Sequence, residues 1–125
     1  MNSARHAREQ LMSWPGLTGG RASCGSEYCV RTGAQEIVHF HSEQEAEVHL
    51  SRTMVAKLLP ALSESTALRV HNGSGWVTVR LDCRTDIDLL ITLVSAALQA
   101  GPAVAEEELT GLAADPCTHQ RQYAA

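Results

Sequence analysis

EIVHFHSEQEAEVHL, residues Glu36 to Leu50, sets histidines and glutamates alternately with aliphatic residues on either side of a polar link. Successive side chains of a β-strand leave opposite faces. Two strands, over residues 36–41 and 46–50, therefore send Val38, Phe40, Val48 and Leu50 toward a core and His39, His41, Glu47 and His49 the other way. The link of Ser42, Glu43, Gln44 and Glu45 is too short for a parallel crossover, which takes a dozen or more residues, so the strands pair as an antiparallel hairpin.

The same rule extends downstream. Residues 67–71 and 76–81 flank Asn72-Gly73-Ser74-Gly75, a hairpin signal because Asn and Gly tolerate the positive φ of tight turns. Leu68, Val70, Val77, Val79 and Leu81 form its core phase; Arg69, His71, Trp76, Thr78 and Arg80 form the other. Between the hairpins, Val55, Leu58, Leu59 and Leu62 repeat at helical spacing over 52–62 with Ser51 as N-cap. Pro60 lies late in that pattern, where its missing N–H predicts a kink or an end. Thr85 with Asp88 three residues on has the form of a capping box for a helix over 86–100. Ile87, Leu90, Ile91, Val94, Ala97 and Leu98 make it the main core helix.

Upstream, residues 3–12 suit a short helix with Ala4, Ala7 and Leu11 on one side, stopped by Trp14-Pro15-Gly16. Gly19-Gly20 reads as a flexible joint, followed by strands over 21–24 and 28–32 and a turn at Gly33-Ala34-Gln35. Gly101-Pro102 ends the last core helix. Residues 103–114 suit a weak acidic helix around Val104, Leu109 and Leu112, and 115–125 have little to bury. The expected division is an N-terminal helix over 1–13, an α+β domain over 14–101, and an acidic helix with a frayed tail over 102–125. The fold class is α+β, a two-layer sandwich with helices on one face of an antiparallel sheet.

With 125 residues, 44% of them hydrophobic, and a net charge of −4, the chain has the composition of one ordinary globular domain. Nucleic acid is not an expected partner, because a phosphate-binding surface needs clustered basic residues; Lys57 is the only lysine and the arginines are dispersed. The longest apolar run, over 87–98, is too short to span a bilayer, and the N-terminus lacks the apolar segment of a secretion signal, so a cytoplasmic protein is expected. Cys24, Cys29, Cys83 and Cys117 form no CxxC pair and read as reduced thiols, with a Cys24–Cys29 clip the one disulfide a local turn could allow.

If the helices cover the aliphatic phase, the sheet's open face gathers His39, His41, Glu47, His49, Arg69, His71, Trp76, Thr78 and Arg80. Four of the chain's six histidines then share one surface. That surface admits three readings. It is a solvated sheet face with cross-strand His–Glu and Arg–Glu pairs. It is a metal site, in which the His39-x-His41 pair points two imidazoles the same way and His49 or Glu47 adds a ligand. Or it is an organic-ligand pocket in which Trp76 gives a flat wall, Arg80 or Arg69 clamps an anion and a histidine near neutral pH moves a proton. No nucleophile elbow is present to support a Ser-His-Asp triad.

The order WPG, EIVHFH, EVHL, SGWVTVRLD and DIDLLITLVSAALQA resembles a family of small bacterial proteins known as the luciferase family, or luciferase domain. The resemblance covers about residues 14–100 and marks Glu36, His39, His41, His49, Gly75 and Trp76. It implies the family's fold and a set of positions without implying an activity. Flavin-dependent bacterial luciferases use a barrel of roughly 250 residues, about twice this chain, and no flavin or nucleotide loop is present, so light emission is not implied. The function expected is binding of a small molecule or metal on the histidine-rich face. His39, His41 and His49 are the candidate catalytic residues, and Glu36, Glu47, Trp76, Arg80, Arg69 and His71 the candidate ligand contacts. The alternative is a non-catalytic accessory or protein-interaction module, docking a partner protein or a second copy of itself.

Overall fold

A computed structural model describes residues 3–21, 28–33, 35–71 and 73–99. Its elements in chain order are α1 (Ser3–Met12), β1 (Leu17–Gly20), β2 (Tyr28–Thr32), β3 (Gln35–Ser42), β4 (Glu45–His49), α2 (Arg52–Ser63), β5 (Leu68–Val70), β6 (Trp76–Arg80) and α3 (Arg84–Gln99). The six strands form one sheet in the order β1-β2-β3-β4-β6-β5, with every neighbouring pair antiparallel. Because β4 and β5 both run antiparallel to β6, they point the same way, and the chain needs the helical crossover α2 to join them.

The aliphatic phase lines up across the sheet. Val30 pairs with Val38, Val38 with Val48, Val48 with Val77, and Val77 with Val70. Helix α1 brings Ala4, Ala7 and Leu11, α2 brings Val55 and Leu62, and α3 brings Ile87, Leu90, Val94 and Ala97 to the same core cluster as Val38, Val48, Val77 and Val79. The helices and the valine rows thus make the two-layer α+β sandwich that alternation predicts. At roughly 25 cal/mol per Å2, each fully buried valine or leucine contributes about 1.5–3 kcal/mol. The core, not helix propensity, therefore fixes the architecture.

Four local expectations change. Gly19-Gly20 is no joint: both residues lie in β1, opposite Val30 and Cys29, and the Tyr28 side chain occupies the space that a Cβ on Gly19 would take. An aromatic lying over a strand glycine supplies the contact that the glycine lacks. The strand expected over 21–24 is not seen at Arg21, and residues 22–24, with the Cys24–Cys29 clip, lie outside the described residues. Helix α2 covers the expected 52–62 and one residue more, so it does not end at Pro60. Pro60 has no N–H for the Ala56 carbonyl, but Ala56 is exposed and water can take that role. The cap of α3 is neither Thr85 nor Asp88: Asp86 Oδ2 accepts the backbone N–H of Asp82 at 2.9 Å and of Cys83 at 3.3 Å, closing the turn just before Arg84. The expected helix and tail over 102–125 lie outside the described residues.

Candidate functional site: a buried polar row

The other phase of the sheet carries the polar residues. Cys29 pairs with His39, His39 with Glu47, Glu47 with Thr78, and Thr78 with Arg69; one step along, His49 pairs with Trp76. Neither Cys29 nor Trp76 belongs to the core cluster. This phase is not a solvated face. His39 is 2% exposed, Glu47 1%, His49 7% and Trp76 5%, and Cys29 and Thr78 are buried with them. Polar side chains kept this dry need partners, since an unsatisfied one costs on the order of 1–3 kcal/mol.

The partners exist because β3 departs from regular pairing. Val30 faces Val38 but Arg31 faces Glu36, so Ile37 is an extra residue in the strand. Such a bulge reverses the phase of what precedes it. In regular alternation Glu36 would share the face of Val38; with Ile37 inserted it joins the face of His39, and Ile37 itself enters the core beside Val38. Glu36 Oε1 then lies 2.8 Å from His39 Nε2. A second shift falls between Phe40 and Ser42, at His41, whose Nε2 lies 3.2 Å from Glu47 Oε1. That separation is an ion-pair contact, but it lacks the alignment of a hydrogen bond. Burial lowers the pKa of His39 below the ordinary 6.5, outweighing the hydrogen bond and charge of Glu36, which raise it. His39 is therefore neutral at pH 7, and Glu36 orients its ring.

Trp76 anchors the row. Its ring lies 4.5 Å from that of His39 and 5.0 Å from that of His49, tilted against both. The His39 and His41 rings meet edge to face at 6.0 Å. Its neighbours in the chain and the start of α2 set the position of Trp76. Ser74 Oγ accepts its backbone N–H at 3.0 Å, and the carbonyl of Gly75 accepts Leu50 N–H at 2.8 Å and Ser51 N–H at 3.3 Å. A Cβ on Gly75 would lie 2.9 Å from the backbone of Ser51 and Arg52, so only glycine lets β6 seat this closely against the start of α2. Ser51 itself adopts φ 95° and ψ 152°, a conformation costing about 1–3 kcal/mol for a residue with a side chain, while its Oγ caps α2 by accepting Met54 N–H at 3.1 Å.

The remaining residues divide between rim and surface. His71 Nε2 and Thr78 Oγ1 share a hydrogen bond at 2.7 Å, which ties β5 to the row. Arg80 is exposed, its Nε 2.6 Å from Asp82 Oδ2, and Arg69 is exposed as well, so neither arginine joins the buried row. Cys29 is buried without a disulfide, as a reduced thiol is expected to be, but its place opposite His39 in the row was not expected; its position one residue from core-facing Val30 was the available signal. Its Sγ lies 3.6 Å from the Arg21 carbonyl. Among the described residues no group of three or more His, Cys, Asp or Glu is arranged to hold a metal ion. On β3, His39 Nε2 and His41 Nε2 approach different carboxylates, those of Glu36 and Glu47.

A family model described as the luciferase domain matches residues 34–97, the stretch that runs from β3 to near the end of α3 and holds every member of the row except Cys29. No curated protein and no solved structure matches the chain. Among the described residues no helix is long and apolar enough to cross a membrane.

Proposed function

The chain belongs to the luciferase-domain family, and we propose that its working part is the row of Glu36, His39, His41, Glu47, His49 and Trp76, which binds a small organic molecule and exchanges a proton with it through His39. The observation that carries this reading is the state of His39: a buried neutral imidazole, hydrogen-bonded to a carboxylate and in tilted contact with an indole. A neutral imidazole can accept a proton, and a carboxylate beside it stabilises the imidazolium that results. Trp76 backs the His39 ring from within, and the part-exposed Glu36, His41 and His71 mark the rim by which a ligand would enter.

The test is native mass spectrometry of gently purified full-length chain, followed by rebinding of the released compound to stripped protein. The reading expects an organic adduct whose return changes tryptophan fluorescence, with affinity lost in His39→Asn and Trp76→Ala proteins that remain folded. Equal binding by the wild type and both variants would sink it.

A further inference from the structure

Away from the histidine row, a cavity of about 230 Å3 opens between α2 and β5. Val55, Ala56 and Leu59 of α2 and Val70 of β5 give it apolar walls, and Arg52 and His71 also line it. Leu59 is 43% exposed and is the one exposed large hydrophobic side chain among the described residues. An isolated exposed leucine needs no explanation. This one differs because it edges a concave apolar site that also carries a permanent cation, the arrangement of a ligand pocket with one orienting polar group.

We propose that this cavity binds a free medium-chain carboxylate, its hydrocarbon against Val55, Ala56, Leu59 and Val70 and its anionic head at Arg52. The walls favour a chain over a sugar or nucleotide, since they provide area to desolvate and few partners to satisfy. Arg52 favours an acid over an alcohol, because a guanidinium can hold a carboxylate through two parallel hydrogen bonds. The volume lies below the roughly 300–1,000 Å3 of drug-sized pockets, which suits a slender aliphatic chain better than a fused ring. The site touches the proposed row at two points, His71, whose imidazole bonds Thr78, and Ser74, whose Oγ accepts the backbone N–H of Trp76.

Decanoate, kept below its micellar concentration, is the probe, with decanol and acetate as controls, read by thermal shift and amide chemical shifts on the full chain. Decanoate should raise the melting temperature in a concentration-dependent way and move the amides of Val55, Ala56, Leu59 and Val70. Acetate should do neither. Arg52→Gln should weaken decanoate about tenfold while leaving decanol unchanged. Leu59→Asp and Ala56→Trp change exposed positions and should abolish binding by charging or filling the groove. Decanoate binding that survives both substitutions, an acetate response equal to that of decanoate, or no response to decanoate would each overturn the proposal. So would amide shifts confined to the histidine row, which would return the ligand to that site.

Discussion

Replacing Gly75 by alanine is the sharpest perturbation of the seat beneath Trp76. Alanine is excluded here by contact: the added Cβ would sit 2.9 Å from Arg52 N, Ser51 C and Ser51 Cα, all backbone atoms that cannot rotate away. Overpacking of this kind costs about 1–3 kcal/mol. Backing β6 away from α2 to relieve it stretches the hydrogen bonds from Leu50 and Ser51 to the Gly75 carbonyl, each worth about 1 kcal/mol. The two costs are alternatives and the backbone takes the cheaper, so the destabilisation is about 1–2 kcal/mol, which for a domain of this size lowers the melting temperature by roughly 5 °C. Circular dichroism melts would measure this, and near-ultraviolet spectra would report whether Trp76 changes surroundings. The informative control is Gly73→Asn. Gly73 has φ 76° with no atom within 4 Å of an added Cβ, and asparagine tolerates that conformation, so little change is expected. A Gly75→Ala protein that melts within about 2 °C of the wild type would refute the claim that contact, and not backbone freedom, requires glycine at this position.

Ser51 offers a related test: Ser51→Ala should cost about 0.5–2 kcal/mol through loss of the cap to Met54, whereas Ser51→Gly, which also removes the cap but relieves the positive φ, should be at least as stable as the alanine variant in urea melts. Because burial depresses the His39 pKa, the unfolded chain binds this proton more readily than the folded one. The contribution is fully present above pH 6.5 and is lost as pH falls through the folded value, with a slope of up to about 1.4 kcal/mol per pH unit. His39→Asn should remove that share of the pH dependence, and an unchanged slope would show that other groups carry it. Val79→Asp should leave no cooperative melt, since Val79 is fully buried and an unpaired carboxylate would enter the core; a normal melt would mean that the strand phase is reversed. Zinc should leave the melting temperature flat. A ligand at a hundred times its Kd adds about 2.7 kcal/mol, so a rise that grows with zinc would revive the metal reading.

Periodicity alone determined the layers. Alternation from Val38 to Leu50 and from Leu68 to Leu81 assigned the core phase, and helical spacing placed α1, α2 and α3, because burying apolar area is a one-dimensional pattern that sequence records directly. Pairing across the sheet decided what the polar phase became. The row was legible as a set of residues, yet its dryness was not, since a histidine reads alike whether solvated or buried. Strict alternation would place Glu36 with Val38 on the core side; the extra residue at Ile37 is what swings it to His39. Arg69 and Arg80 had the right phase for the row, but at the sheet's margin water and Asp82 hold them more cheaply than burial could. Nor does any local signal say that Gly75 must be glycine for contact with Ser51 and Arg52, over twenty residues away in the chain. Local pattern chooses faces; register, bulges and the approach of distant backbone choose which side chains on a face can touch.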